Sequence, residues 1–470
     1  MMMRLSELAT VLNGHLRGED AAFECVGTDS RAVQAGQLFV ALRGERFDAH
    51  RFVSEALEAG AVGAVIDQAG AEHISAGPVV VVEDTKQALG RLAAHWRARF
   101  TLPVIGVTGS NGKTSVKEMC AAILRAQAVM EGAAETTVLA TAGNLNNEIG
   151  LPLTLLGLRP HHRAAVVEMG MNHPGEIGYL ADIARPTVAI VTNAQRAHLE
   201  GMGSLEEIAQ EKGSIYVADD STIAIINEDD AQAEHWHRQV VGRRMLTFGL
   251  ERGADVRGCA QLHGLEARFT LECFAGHAEI TLQMPGRHNV SNALAAAAAC
   301  LAAGTPFKAV VAGLEACQGE RGRLQKVTGP KGSLLIDDTY NANPDSVRAA
   351  IDVLAAQTGR QILVLGDMGE VGETRAQVHD EIGGYAKSRG VDVLLTLGDM
   401  SELAARNFGE GGRHFESLEA LLAALAPQLS EHTTVLVKGS RFMRMERVID
   451  ALVGMRDEAA SGAKGDWDAT

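Results

Sequence analysis

The sequence predicts an α/β protein of three domains: a small α/β domain over residues 1–98, a domain with a mostly parallel sheet over 99–318, and a doubly wound domain over 319–470. Its 470 residues exceed the length at which a single hydrophobic core stops growing. Two separate series of apolar strands alternate with helical segments, which is typical of parallel sheets covered on both faces. A glycine-rich loop opens the first of these series.

In the N-terminal domain, three short apolar runs predict buried strands: GQLFVALRG, VGAVIDQ and PVVVVEDT. The third run leads into KQALGRLAAHWRARF, whose apolar spacing predicts a helix. The central domain continues with the strands VIGVTG, AAVVEMG, TVAIVTNA and STIAIINE. Two alternating runs around AGH then indicate an antiparallel hairpin, and NVSNALAAAAACLAAG indicates a helix that stops at Gly304.

The last domain repeats the alternation. The strands SLLIDDTYN, QILVLGDMG, VDVLLTLGD and TTVLVKGS are each followed by a helical stretch. This second series predicts a complete Rossmann-like sheet, in which ligands bind at the carboxyl ends of the strands.

Composition excludes several classes of function. The net charge of −16 argues against a nucleic-acid partner or an anionic membrane surface. The longest apolar run, residues 293–303, is shorter than the roughly 20 residues that cross a bilayer, and the first residues do not resemble a signal peptide. Six cysteines without metal-ligand spacing indicate reduced core thiols. We therefore expect a cytoplasmic, monomeric protein without membrane insertion.

The loop VIGVTGSNGKTSVKEM predicts a phosphate-binding site. The pattern GxxxxGK[ST] is met at its end by Gly112, Lys113 and Thr114, whereas Val107 replaces its first glycine. A strand still enters the loop and a helix still leaves it, so backbone N–H groups converge on phosphate oxygens. Lys113 is expected at the β- and γ-phosphates and Thr114 at Mg²⁺.

Three further residues are candidates for the metal or the chemistry, although spacing alone assigns a role to none of them. Glu168 ends an apolar strand and would face the loop from a neighbouring strand. His198 in AHLEG and Lys212 in IAQEKGSIY have ordinary structural interpretations, as a structural histidine and a surface lysine.

Taken in order, many segments resemble the Mur ligases, ATP-dependent amide-forming enzymes of peptidoglycan precursor synthesis. The resemblance covers nearly the whole chain, through TDSRAVQAGQLFVALRGERFDAHRF, GVTGSNGKTSVKEM, GNLNNEIGLPLTLL, VVEMGMNHPGEI, AHLEGMGSLEEIAQEKGSIY, PGRHNVSNALAA, IDDTYNANPDSV, GDMGEVG and LVKGSR. GNLNNEIG and DDTYNANP resemble the family member that adds D-alanyl-D-alanine to a UDP-N-acetylmuramoyl tripeptide.

The resemblance implies roles for individual residues. The loop positions that it implies in ATP binding are Thr108, Gly109, Ser110, Asn111, Gly112, Lys113 and Thr114. Glu168 and His198 would hold a second Mg²⁺ together with Lys212, whose carbamylation would supply an anionic oxygen ligand. Asn292 would reach adenine, and Arg323 and Asp338 would contact the nucleotide; relatives often have Pro-Gly-Arg where this chain has Arg321, Gly322 and Arg323, which leaves open which arginine does so. The residues implied in binding the UDP-sugar peptide are Ser30, Arg31, Asn144, Asn147 and Glu148. Those expected at the dipeptide are Asn341, Asn343, Ser440 and Arg441.

The implied reaction activates the carboxylate that ends the tripeptide as an acyl phosphate, which the amine of D-Ala-D-Ala then attacks. An alternative within the family is the ligase that adds the third amino acid, but its characteristic D-N-P-R segment is absent. A folate polyglutamate ligase would lack GNLNNEIG and DDTYNANP. A P-loop nucleotide switch or motor ATPase is a different class of function. The chain lacks the N/T-K-x-D segment with which GTP switches recognise guanine, and it lacks the basic or repetitive segments with which a motor would bind a polymer.

Overall fold

The computed structural model describes residues 1–44, 47–74, 77–196, 199–263, 265–369 and 371–462. It contains a mixed α/β architecture with one main sheet in each of three successive regions, which confirms the predicted fold class. None of the helices in these ranges combines the length and apolarity that a membrane crossing requires.

The N-terminal region is built on a five-stranded sheet in the order β2-β7-β6-β5-β4, with a separate antiparallel pair β1-β3. Only β2 runs antiparallel to its neighbour in the main sheet. The strands are β1 (Met3–Arg4), β2 (His15–Arg17), β3 (Ala22–Phe23), β4 (Cys25–Gly27), β5 (Gln37–Val40), β6 (Gly63–Asp67) and β7 (Val79–Val82). The helices are α1 (Leu5–Leu12), α2 (Val53–Glu58), α3 (Gln68–Ala71) and α4 (Thr85–Arg97).

The central sheet has nine strands in the order β16-β15-β14-β13-β12-β11-β8-β10-β9. It is parallel from β14 to β9, and β14, β15 and β16 form an antiparallel meander. The strands are β8 (Val104–Thr108), β9 (Val138–Ala140), β10 (Ala164–Glu168), β11 (Val188–Val191), β12 (Ile223–Asn227), β13 (Met245–Gly249), β14 (Val256–His263), β15 (Glu266–Cys273) and β16 (Gly276–Leu282). The helices are α5 (Lys113–Met130), α6 (Gly150–Leu156), α7 (Glu176–Ala184), α8 (Leu199–Met202), α9 (Leu205–Gly213), α10 (Ala233–Gln239), α11 (Arg287–Ala302) and α12 (Phe307–Ala316).

The C-terminal sheet has six strands in the order β17-β18-β22-β19-β20-β21, and all but β17 are parallel. The strands are β17 (Gln325–Thr328), β18 (Leu334–Asp338), β19 (Arg360–Gly366), β20 (Val393–Leu397), β21 (Gly412–Phe415) and β22 (Thr433–Lys438). The helices are α13 (Pro344–Ala355), α14 (Arg375–Ser388), α15 (Ser401–Phe408), α16 (Leu418–Leu425) and α17 (Glu446–Gly462).

Apolar side chains on both faces of these sheets explain why the strand sequences are nearly continuous in apolar residues. One core joins the N-terminal sheet, α4 and one face of the central sheet, and a second lies between the central sheet, α5, α11 and α12. Ala293 and the five alanines at 295–299 of α11 are fully buried, because small side chains let this helix lie close to the sheet. Two further cores cover the two faces of the C-terminal sheet.

All six cysteines are free thiols, as the sequence predicted. Cys120, Cys300 and Cys317 are buried, but Cys259 is exposed on β14. The prediction of a core position is therefore wrong for Cys259, because its strand belongs to the meander at the edge of the sheet.

Candidate active site

A cavity of about 1220 Å³ lies where the carboxyl ends of the central and C-terminal strands face each other. Its walls include the glycine loop, the segment after β9, the start of α11 and the loop after β18. Because β8 lies between β10 and β11 in the sheet, the loops that follow these three strands meet at one edge.

The loop between β8 and α5 owes its shape to two glycines. Gly109 and Gly112 have φ values of +147° and +82°, which favour glycine strongly. A Cβ on Gly109 would overlap the Thr192 hydroxyl, and one on Gly112 would overlap the Asn292 side chain. These close approaches fix the path of the loop at the N-terminus of α5.

Neighbouring residues hold the loop in place through its backbone. The N–H of Asn111 donates to Asn193 Oδ1 at 2.9 Å, and the Thr192 hydroxyl donates to the Asn111 carbonyl at 2.6 Å. Lys113 Nζ donates to the Gly109 carbonyl at 2.7 Å, so its ammonium lies over the loop. A phosphate placed here would meet backbone N–H groups, a helix N-terminus and a lysine.

Glu168 ends β10 and lines the same cavity, with an exposure of only 2%. Its Oε1 accepts a hydrogen bond from Asn146 Nδ2 at 2.7 Å, whereas its buried Oε2 has no hydrogen-bond partner among the residues that the structure describes. A carboxylate oxygen left unpaired beside a phosphate loop is suited to a divalent cation. Within the described ranges no three His, Cys, Asp or Glu side chains cluster as a metal site, and the predicted ligand His198 lies outside the described residues.

Lys212 is buried in α9, with an exposure of 1%. Burial lowers the pKa of its ammonium well below the usual value, and the charge of Lys113 lowers it further. The alternative interpretation of Lys212 as an ordinary surface lysine therefore does not hold. Lys212 does not contribute to the cavity wall but lies close enough to Lys113 for their charges to interact.

The segment between α12 and β17, which joins the central and C-terminal regions, places one arginine in the cavity. Arg323 donates to Thr114 Oγ1 at 2.8 Å and stacks over the Tyr340 ring at 4.2 Å. Arg321 instead pairs with Asp450 on the surface and does not line the cavity. The geometry thus favours Arg323 at the nucleotide.

Two other predicted nucleotide contacts also line the cavity. Asn292 is buried beside Gly112 and donates to Asn289 Oδ1 at 3.1 Å. Asp338 accepts from Lys438 Nζ at 2.6 Å and from the Leu324 N–H at 3.2 Å. Lys438, which the sequence reasoning did not single out, is 3% exposed and also donates to the Asn341 carbonyl at 2.9 Å. Its position at the end of a buried strand, in LVKGSR, was the available signal.

The residues predicted for the substrates divide into two groups. Those that line the cavity are Asn147, Glu148, Asn341 and Asn343. Those that lie outside its wall are Ser30, Arg31, Asn144, Ser440 and Arg441.

In the first group, Glu148 Oε1 lies 3.6 Å from Nζ of Lys86 in α4. This contact places part of the N-terminal domain at the cavity. Asn343 caps α13, accepting from the Ser346 N–H at 2.9 Å. Asn146, which the sequence reasoning passed over between Asn144 and Asn147, is the residue that contacts Glu168.

In the second group, Ser440 is buried and its hydroxyl donates to the Ala342 carbonyl at 3.0 Å. The same hydroxyl accepts from the Gly369 N–H at 2.7 Å, so it connects the loops after β18, β19 and β22. Arg441 is 64% exposed and lies 3.3 Å from Glu446. Arg31 is exposed in the N-terminal domain, where it pairs with Asp29.

Comparisons with known proteins agree with this geometry. Three family models match in order: the Mur ligase family catalytic domain over residues 22–97, the Mur ligase middle domain over 107–300, and the Mur ligase glutamate ligase domain over 322–441. The chain is 41% identical to UDP-N-acetylmuramoyl-tripeptide–D-alanyl-D-alanine ligase of Escherichia coli (strain K12), over 95% of this chain and 98% of that protein.

Solved structures give the same result. A crystal structure of MurF from Acinetobacter baumannii superposes with a TM-score of 0.87 at 35% identity, over 95% of this chain and 98% of that one. MurF ligase from Thermotoga maritima in complex with ADP superposes with a TM-score of 0.79 at 27% identity, over 93% and 98%. By sequence, domain order and fold, this chain belongs to the Mur ligase family.

Proposed function

We propose that the protein is an ATP-dependent amide ligase that adds D-alanyl-D-alanine to UDP-N-acetylmuramoyl tripeptide, giving the pentapeptide precursor of peptidoglycan, ADP and phosphate. Its relatives at up to 41% identity over nearly their full length have this activity in their names. The observation that carries the proposal is the single cavity that brings together the phosphate loop, Asn147 with Glu148, and the loop after β18. Three substrates that react in sequence require such a common space.

We further propose that each of the three domains binds a different substrate. Residues 1–98 hold the UDP end of the muramoyl substrate, with Ser30 and Arg31 at its diphosphate. Residues 99–318 hold ATP, and residues 319–470 hold the dipeptide. In support, Lys86 of the N-terminal domain and Asn341 of the C-terminal domain both reach the central cavity.

The chemistry begins when the tripeptide carboxylate attacks the γ-phosphorus of ATP. The bond to the β-phosphate oxygen breaks, which releases ADP and leaves an acyl phosphate. The amine of D-Ala-D-Ala attacks the acyl carbon, the C–N bond forms, and phosphate departs while the amine loses a proton. Phosphoryl transfer depends on positioning and charge neutralisation, which Lys113, Arg323 and the N-terminus of α5 supply.

Mg²⁺ ions are proposed at Thr114 and Glu168, where they neutralise phosphate charge when bound. The buried Oε2 of Glu168, which has no hydrogen-bond partner within the described ranges, supports this assignment. Of the two ions expected, the second would take Glu168, His198 and Lys212 as ligands. Asn146 orients the Glu168 carboxylate by binding its other oxygen.

We propose that Lys212 is carbamylated. A neutral amine, not an ammonium, attacks CO₂, and burial lowers the Lys212 pKa in the direction that favours the neutral form. The resulting carbamate would be an anion near Lys113, which removes the repulsion between two lysine charges. Carbon-13 NMR in labelled bicarbonate would detect a carbamate in the wild type that is missing in Lys212→Ala.

One assay tests the proposed reaction. Phosphate release from ATP is measured with UDP-N-acetylmuramoyl tripeptide containing either lysine or meso-diaminopimelate, and D-Ala-D-Ala or single amino acids are added in turn. Release that requires both the tripeptide and D-Ala-D-Ala is expected. Release with UDP-N-acetylmuramoyl dipeptide and a single amino acid would assign the preceding ligation step, and release independent of any amine would indicate a nucleotide switch or motor.

A further inference from the structure

An ion pair connects the central and C-terminal domains beside the cavity. Arg196, in the loop after β11, donates from its guanidinium to Asp345 Oδ1 at 2.7 Å and from its backbone N–H to Asp345 Oδ2 at 3.0 Å. The two side chains are 34% and 23% exposed, so the pair is partly shielded from water. Glu381 of α14 lies 3.8 Å from the same guanidinium and 3.2 Å from Arg348, which extends the network.

A second cross-domain contact lies next to this ion pair. Asn343 Nδ2 donates to Asn111 Oδ1 at 2.7 Å, and Asn111 Nδ2 lies 3.3 Å from Asn343 Oδ1. Asn111 belongs to the phosphate loop and Asn343 caps α13. The start of α13 is thus attached to the phosphate loop itself.

Both partners of the ion pair are coupled directly to functional loops. Arg196 follows Gln195, whose backbone N–H donates to Ser110 Oγ at 2.9 Å and whose side chain accepts from Asn111 at 2.6 Å. Asp345 lies in the first turn of α13, where the helix dipole favours a carboxylate. A charge-assisted contact between these two points therefore sets the distance between the phosphate loop and the loop after β18.

We propose that Arg196 and Asp345 are positioning residues for the ligation step, whose ion pair holds the C-terminal domain closed over the phosphate loop. Closure places the amine carried by the C-terminal domain next to the acyl phosphate formed on the central domain. The nature of that amine rests on the proposed function, but the closure itself does not. The pair acts on the second half-reaction because it fixes the amine site relative to ATP, with Asp345 in the cavity wall and Arg196 outside it.

The experiment combines a double-mutant cycle with small-angle scattering of the full chain. The variants are Arg196→Ala, Asp345→Asn and the double variant, with Arg196→Lys as the conservative change and Arg257→Ala as the matched control. Arg257 forms an exposed ion pair with Glu272 inside the central domain, so its loss affects no domain contact. Thermal melting checks that each variant is folded.

We expect Arg196→Ala to raise the KM for D-Ala-D-Ala by about tenfold and to change the KM for ATP by less than about twofold, because only the amine site moves. The radius of gyration should increase, and the double variant should be no worse than either single one, since partners in one contact are not additive. Arg196→Lys should raise the KM for D-Ala-D-Ala less than Arg196→Ala does, because lysine keeps the positive charge but cannot form the bidentate contact.

Additive effects of the two substitutions, or an unchanged radius of gyration in both single variants, would overturn the proposal. The scattering needs no substrate, which keeps the two hypotheses separable. If the variants open the chain while the wild type fails to use D-Ala-D-Ala, the proposed function fails and the closure contact stands.

Discussion

The carboxyl edges of the central and C-terminal sheets face one cavity but are built differently. At the central edge, the charged groups lie at the phosphate loop: Glu168 Oε2 is buried with no hydrogen-bond partner among the described residues, and Lys113 Nζ donates to the Gly109 carbonyl. At the C-terminal edge, polar groups bind one another, as in the pair of Lys438 and Asp338 and the bridging hydroxyl of Ser440. The difference supports the proposal that the central edge supplies the charges for phosphoryl transfer, whereas the C-terminal edge is a preformed frame that positions the dipeptide.

The largest expected effect is at the central edge. Lys113→Ala should fold normally and lose turnover by about two or more orders of magnitude, because charge stabilisation of phosphoryl transfer is removed. Phosphate release and a thermal melt measure the two properties. Lys331→Ala, an exposed lysine of the C-terminal domain, serves as control. Turnover close to that of the wild type would refute the role of this lysine.

Lys212→Ala tests whether the buried lysine also belongs to the chemistry of the central edge. Activity should fall by about a hundredfold, since the proposed carbamate, a charged group that would support phosphoryl transfer, is lost. Added acetate or propionate should restore part of the activity by standing in for the proposed carbamate. A high-resolution structure of the active enzyme with an unmodified Lys212 ammonium would contradict the assignment.

Lys438→Met tests the frame at the C-terminal edge. The pair with Asp338 is almost fully buried, with side chains 4% and 13% exposed. Removing one partner leaves a buried charge unpaired and should cost about 3–5 kcal/mol of unfolding free energy, measured by denaturant titration. Replacing both partners, as Lys438→Met with Asp338→Asn, should cost less. If the single variant is as stable as the wild type, the edge does not depend on this pair.

Arg441→Ala should have the smallest effect, because this arginine is exposed beside the frame. We expect the KM for D-Ala-D-Ala to rise by about tenfold or less and the KM for ATP to remain unchanged, as when a contact to one substrate is lost. Arg406→Ala, exposed on α15 of the same domain, is the matched control. An equal rise in both KM values would argue against a contact with the dipeptide.

Much of the architecture could be predicted from local patterns. The strands β5 to β8, β10 to β12, β18 to β20 and β22 coincide with apolar runs, and the hairpin β15-β16 was predicted from alternation. The third strand of the meander, β14, and the antiparallel edge strand β17 were not predicted, because both are edge or near-edge strands with weaker apolar patterns. The pairing of β-strands depends on neighbouring strands that lie outside any local window of the sequence.

For the site, the sequence by itself determined the phosphate loop and the strand-end position of Glu168, because glycine dihedrals and strand periodicity are local properties. Only the tertiary structure decided that Asn146 binds Glu168, that Lys438 pairs with Asp338, and that Lys212 is buried. Arg196 and Asp345 are 149 positions apart in the chain. Their contact exists because the loop after β11 and the start of α13 face each other across two different sheets, and the packing of domains sets distances that sequence spacing does not encode.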